Sequence, residues 1–257
     1  MTSTQREEEG SEEPEETLDK AADEGTRKVE RTALSTLTAG LLGGAEIALG
    51  VLALLAVLGE TGDPVLAALA FTVGYIAITL SGDELFTEGF LIPIAAVVRG
   101  PASWLDVFRL WSLTLLSNLA GGWLVMFLVT SAYPDLLDAA EEVADNYLDL
   151  GVTWAGFAAA VLAGLAITLL TWIHQSVEQV GANLVSAIAF GFLLAVVPLN
   201  HGVVASLEMF AAILGGGSIG YADWAPLAGW AVLGNLVGGL LLVTLIKLIE
   251  VRSDKSE

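Results

Sequence analysis

The sequence predicts an all-α membrane protein with six transmembrane helices, spans two and five broken, and two three-helix halves inverted relative to each other. Three observations lead there. Hydrophobic residues fill 55% of the 257 positions and charged residues only 16%, a balance unlike that of soluble domains. Apolar stretches of about 20 residues, long enough for ~30 Å of hydrocarbon, follow one another from Ser35 onward. Two of them are interrupted by Gly, Pro or charged residues at corresponding places in the two halves.

Residues 1–34 are expected to form a disordered acidic cytoplasmic tail. Eleven of the first 30 residues are acidic, and the apolar surface between Glu7 and Glu24 is too small to offset the entropy of ordering. The stretch is too long and too acidic for a cleavable signal peptide. The channel domain, 35–250, holds spans at 36–58, 65–98, 107–130, 154–173, 183–214 and 226–249. Span two is broken at Ser81-Gly82-Asp83-Glu84, and span five at Pro198-Leu199-Asn200-His201-Gly202. Non-helical backbone at membrane depth is tolerated only where it is buried in protein or lines a cavity. Between the halves, 133–150 is acidic with Leu136, Leu137, Val143, Tyr147 and Leu150 at mostly helical spacing, which reads as an extracellular surface helix. Residues 251–257 form a short cytoplasmic tail.

Charge fixes the orientation. Six crossings with both termini in the cytoplasm put all ten basic residues on one side: Arg6, Lys20, Arg27, Lys28 and Arg31, then Arg99 and Arg109, then Lys247, Arg252 and Lys255. The opposite loops carry only acidic charge, as the positive-inside rule expects.

An internal repeat accompanies this topology. Asn118 opens an Asn-Leu-Ala-Gly-Gly run in span three, and Asn235 opens Asn-Leu-Val-Gly-Gly in span six. Trp111 and Trp230 precede them. An offset of 117 residues superposes the two asparagines and places Glu84 on His201. Three crossings per half invert the halves, and paired broken helices in inverted halves point to a transport site at the midplane.

The residues at the breaks supply candidate chemistry. A neutral His201 at the midplane can give a hydrogen bond or a proton to a weak-acid anion, and moving the neutral acid avoids most of the desolvation cost. Thr87 is its natural partner from the other break, and Leu85 with Phe86 would exclude water and bulk ions by dewetting. Asn118, Asn235 and Asn200 are expected to tie the exposed backbone of the breaks, because an unpaired amide inside a span is costly. The Gly-Gly pairs, and Gly43-Gly44 in span one, permit close helix approach. Asp83, Glu84, Glu88 and Glu208 are carboxylates at or near the breaks, open to reading as loop ties, proton-relay groups or cation ligands. His174, near the cytoplasmic end of span four, reads as interfacial.

At Glu84-Leu85-Phe86-Thr87 the chain resembles the formate/nitrite transporter family, whose second span carries a Glu/Asp-Leu-Phe-Thr loop. His201 matches the central histidine of that family's interrupted fifth span. Asn118/Gly121 and Asn235/Gly238 match its Asn-x-x-Gly motifs, so the resemblance covers about residues 35–250. It implies an aquaporin-like fold, a homopentamer with one pore per subunit, apolar constrictions flanking the histidine, and substrates such as formate, nitrite or hydrosulfide. Ala205 stands where the family has Asn, Glu208 is an added intramembrane carboxylate, and span four lacks the family's lysine. In these respects the chain is similar to the YfdC-like branch.

The expected function is therefore transmembrane passage of a small monovalent weak-acid anion in a plasma-membrane protein, without cofactor or metal. A channel for neutral solutes or a cation is the alternative, suggested by Glu208 and the absence of basic residues from the spans. A metal-dependent hydrolase built from His201, Glu208 and Glu84 would need more histidines than this chain offers, since it has two and no cysteine. A net charge of −20 leaves nothing basic enough to bind nucleic acid. The acid surplus fits a surface kept hydrated in high salt, as in a halophile.

Overall fold

The structure, a computed structural model, describes residues 13–254. The predicted tail residues 1–12 and 255–257 lie outside the described residues. Every regular element among the described residues is helical.

The expected disordered tail is, over Pro14–Glu30, a helix (α1). Leu18, Ala21, Ala22, Gly25 and Val29 recur every three or four residues and are buried, so they form one apolar stripe. Leu18, Ala21 and Ala22 pack with Ala95 and Val251. Glu15 and Glu16 in the first turn and Arg27 and Lys28 in the last complement the helix dipole. The acidic residues occupy the other face, which is why composition averaged over the segment concealed the helix.

Helix α2 (Ala33–Thr61) is started by the Thr32 side chain, which accepts from the Ser35 N–H, and is stopped by Gly62 at φ +62°. Helix α3 (Pro64–Ser81) follows an Asp63 cap and ends at Gly82, also left-handed at φ +71°. The chain then runs non-helically to Leu85, makes a tight 3₁₀ turn over Phe86–Phe90, and resumes as the short α4 (Ile92–Arg99). A Ser103–Asp106 capping box opens α5 (Trp104–Ala132). Helix α6 (Leu137–Leu150) lies between the halves.

The second half runs α7 (Trp154–Ser176), α8 (Val180–Val196), a break at 197–201, α9 (Gly202–Gly215), α10 (Tyr221–Gly239), a π-helical turn Leu240–Thr244, and α11 (Leu245–Asp254). The predicted C-terminal tail thus continues as helix to Asp254, and Val251 is buried against α1.

Helices α2, α3, α5, α7 and the run Tyr221–Ser253 are long and apolar enough to cross a membrane, while α8 and α9 are shorter apolar helices. Helix α2 packs against α3 and α5, α7 against α10, α3 against α8, and α9 against α5 and α6. Large apolar side chains such as Leu105, Leu116 and Val185 are exposed on the outer face of the subunit. Helix α6, expected to lie on the surface, buries Ala139, Ala140, Val143, Ala144 and Tyr147 against the bundle.

Candidate functional site

Thr87 and His201, 114 positions apart, meet in the interior: Thr87 Oγ1 lies 2.7 Å from His201 Nε2, and both residues are fully buried. His201 is also the N-cap of α9, its Nδ1 accepting from the Val204 N–H at 3.2 Å. A backbone N–H can only donate, so Nδ1 presents its lone pair and the neutral ring carries its proton on Nε2. That proton is directed at Thr87 Oγ1. The cap therefore fixes the tautomer and aims the donor.

Two asparagines hold the breaks. Asn118 donates from Nδ2 to the carbonyls of Gly40 (2.7 Å) and Glu84 (2.8 Å), and its Oδ1 accepts from the Phe86 N–H (2.9 Å). Asn235 donates to the carbonyls of Ala160 (2.8 Å) and Asn200 (3.0 Å) and accepts from the Gly202 N–H (2.8 Å). Each buried amide thus joins one neighbouring helix carbonyl, Gly40 or Ala160, to a carbonyl and an N–H of the break, which no helix pairs. Asn200 itself donates from Nδ2 to the Gly156 carbonyl at 3.3 Å.

These contacts correct the alignment of the halves by one residue. The step from break to amide is 34 residues for Glu84–Asn118 and 35 for Asn200–Asn235. Glu84 therefore corresponds to Asn200, and Leu85 corresponds to His201, although the asparagines keep their offset of 117.

The first break is braced by aromatic contacts. Phe86 meets Phe90 edge-on at 5.1 Å and Phe90 meets Trp111 at 5.8 Å, while Trp111 Nε1 donates to the Gly89 carbonyl at 2.7 Å. Thr244, in the π-helical turn, donates to the Phe90 carbonyl. Leu85 and Phe86 are buried beside Thr87.

Glu84, expected at the pore, turns both carboxylate oxygens to cations of α1 and the residue after it. Lys28 Nζ lies 3.0 Å from Oε2 and the Arg31 guanidinium 2.6 Å from Oε1. Lys28 also pairs with Glu24 at 3.0 Å. Burial works against the Lys28 ammonium, but Glu84, Glu24 and Glu88 outweigh it and hold its pKa above the ordinary lysine value. A basic group absent from the spans thus reaches the first break from α1. In sequence Lys28 and Arg31 read only as cytoplasmic charges, because the acidic composition around them conceals the helix that brings Lys28 to the break.

Glu208 is buried on α9 and receives a short hydrogen bond from the Tyr147 hydroxyl of α6. The pair borders a cavity of about 290 Å³ that also touches Glu142, Asn146, Leu54 and Pro198. Tyr147 was visible in the sequence only as one apolar position of an amphipathic helix. His174, near the end of α7, contacts the Asn183 carbonyl and Ser186 Oγ at 3.3 and 3.2 Å, away from the Thr87–His201 pair.

Comparison with known proteins identifies the family. Residues 15–249 match the family described as Formate/nitrite transporter. The chain is 26% identical over 246 residues to the inner membrane protein YfdC of Escherichia coli (strain K12), covering 91% of this chain and 77% of that protein. It is 25% identical over 238 residues to the formate channel BtFdhC of Bacillus thuringiensis, covering 88% and 90% of the two chains. Its fold matches a solved FNT family ion channel with a TM-score of 0.84 at 21% identity, covering 91% of this chain and 98% of the other. It also matches a pentameric formate channel with formate bound, with a TM-score of 0.68 at 19% identity over 84% and 96%. The chain belongs to the formate/nitrite transporter family.

Proposed function

We propose that the protein is a homopentameric channel or carrier in the plasma membrane, each subunit passing a small monovalent weak-acid anion such as formate or nitrite through its own pore. The observation that carries this reading is the Thr87–His201 hydrogen bond, which links the segments of the two breaks in the buried interior. Family membership and the formate-channel relatives support transport over hydrolysis.

The reading takes α8 and α9 together as one interrupted crossing, which with the five long helices gives six, both termini being cytoplasmic. The paired amide contacts of Asn118 and Asn235 support two inverted halves. In this arrangement Asn118, Asn235 and Asn200 hold the broken backbone open, and Leu85 and Phe86 form an apolar constriction that dewets. An anion there would lose its hydration without a counter-charge, which is prohibitive in a low-dielectric passage. A neutral acid needs only hydrogen-bond partners. Releasing its bond to Thr87, His201 offers Nε2–H to the substrate's oxygen, and the threonine hydroxyl can donate or accept in turn. Glu84 acts at one remove, anchoring the first break to Lys28 and Arg31.

Uptake into proteoliposomes of formate, nitrite, hydrosulfide, acetate and neutral solutes tests the proposal. Saturable uptake of weak acids supports it; uptake of neutral solutes alone removes it. One observation favours the alternative of a neutral or cationic substrate, namely that the cavity beside Glu208 is bordered by Glu142 and by no basic side chain.

A further inference from the structure

We infer that Glu208 is the group that protonates the anion arriving through the cavity at α6, and that Tyr147 holds the carboxylate left behind. The inference rests on the weak-acid reading above and supplies what that reading lacks, a source for the proton.

His201 is unsuited to that task by its place in the fold. Its Nδ1 lone pair is committed to the Val204 N–H as the cap of α9. Loading a second proton onto the ring would turn that acceptor into a donor facing a donor, breaking the cap in a buried site. Giving up the Nε2 proton instead would leave an imidazolate. The ring therefore serves as a fixed hydrogen-bond donor, and the proton must come from elsewhere along the path.

Glu208 lies seven residues along α9 from His201, two helical turns and about 10 Å toward the α6 end. It borders the cavity of about 290 Å³ that opens between α6 and the second break. The titratable groups that face it are few. From α6 they are Tyr147, which donates to Glu208 Oε2, and Glu142 across the cavity, while Glu141 of the same helix is turned to the Ser218 N–H. Leu54 and Leu58 of α2, Pro64 and Ala67 at the start of α3, and Ala195 and Pro198 near the second break add only apolar surface. Helix α5 presents no ionisable side chain between Asn118 and Ala132, and Glu208 is the sole one on α9 itself. Tyr221 of α10 is engaged with Trp123 Nε1.

An ionised Glu208 in this setting repels an anion, whereas its protonated form greets one with an O–H donor. In the step, the Glu208 O–H bond breaks as an O–H bond forms on the substrate's oxygen. The neutral acid moves on toward Thr87 and His201, and Glu208 becomes a carboxylate. The Tyr147 hydroxyl donates to that carboxylate, and external water restores the proton. Charge and protons balance, so each substrate crosses with one proton.

The test uses the full-length pentamer in proteoliposomes with formate as probe and an internal pH dye, across an external pH series. Wild type should take up formate with one proton each. Glu208→Gln, which keeps the shape and the bond from Tyr147, should lose about 10²-fold in rate, the scale of a lost general acid. Tyr147→Phe should move the pH midpoint of uptake upward, because a carboxyl deprived of its donor keeps its proton to higher pH. That variant decides the matter if Glu208→Gln does not assemble. Wild-type rate and pH profile in Glu208→Gln, or an unmoved midpoint in Tyr147→Phe, overturns the assignment of Glu208 alone. A wild-type protein that moves neither formate, nitrite nor hydrosulfide overturns the weak-acid reading itself.

Discussion

Gly44 of α2 lies against the backbone of Asn118 so closely that a Cβ added there would fall 2.0 Å from the Asn118 carbonyl oxygen. Gly164 of α7 stands in the same relation to Asn235, at 2.1 Å. The obstacle is main chain in both cases and cannot swing aside. Gly44→Ala and Gly164→Ala should therefore each separate a helix pair and cost about 1–3 kcal/mol or more, as overpacking does. Thermal unfolding of the detergent-solubilised oligomer measures this; an unchanged midpoint for both would contradict the packing described.

The two asparagines should be equally intolerant. Asn118→Leu strands the Phe86 N–H and the Glu84 carbonyl, and Asn235→Leu strands the Gly202 N–H and the Asn200 carbonyl. Each buried group left without a partner costs about 1–3 kcal/mol. Loss of the oligomer on size exclusion is expected for either variant, with Asn→Asp, which keeps one acceptor, falling between.

The parts legible in sequence were those written in one element or in a repeated motif. Apolar runs marked the spans, the interruptions of two of them pointed to Thr87 and His201, and Asn118 and Asn235 came from a motif recurring in the two halves. What stayed hidden depends on distant partners. Tyr147 and Glu208 are 61 residues apart in different elements, and no local period connects them. The helix α1 was hidden because its stripe of Leu18, Ala21, Ala22, Gly25 and Val29 is made of small or few apolar residues among many acids. The register of the breaks slipped by one because an offset set at the asparagines ignores a residue gained between break and amide.

Docking of α1 should depend on pH in a definite direction. Burial pushes the Glu24 carboxyl up, but Lys28, aided by Gln175, brings it net below its ordinary value of 4.5. Its contribution is therefore present above pH 4.5 and lost as pH falls through the lowered folded value. Lys28 is raised above 10.5, so its contribution is full below that value and lost only as pH rises through the raised one. Hydrogen exchange of the α1 amides, corrected for intrinsic rate, should show steady protection from about pH 6 to 9 and a decline in acid. Lys28→Met should weaken protection within that plateau; equal protection at every pH would argue against the ion-pair account.

Topology offers a separate check on a background free of cysteine. A single cysteine at Glu142 should react with an impermeant maleimide added to intact cells, and one at Arg109 only after permeabilisation. The basis is that Arg109 donates to the Arg31 carbonyl and Arg99 pairs with Asp19, so these basic residues share the α1 end of the bundle, which the positive-inside rule assigns to the cytoplasm. Labelling of position 142 from the cytoplasmic side alone would reverse the orientation.

The cap made by His201 allows its structural and transport roles to be separated. His201→Phe removes both the acceptor for the Val204 N–H and the donor toward Thr87. Loss of the cap should cost about 1 kcal/mol of stability. His201→Asn offers a side-chain oxygen that suits an N-cap, so it should recover most of that stability, but its shorter side chain cannot reach Thr87 as the imidazole does. Both variants should carry weak acids more slowly, by roughly 2- to 10-fold if a neutral hydrogen bond worth about 0.5–1.5 kcal/mol to the moving substrate is lost. The comparison is read as unfolding midpoint against initial uptake rate. A rate that tracks stability, recovering in His201→Asn, would assign the histidine a purely structural part; a rate depressed in both, with stability restored in one, assigns it to the substrate.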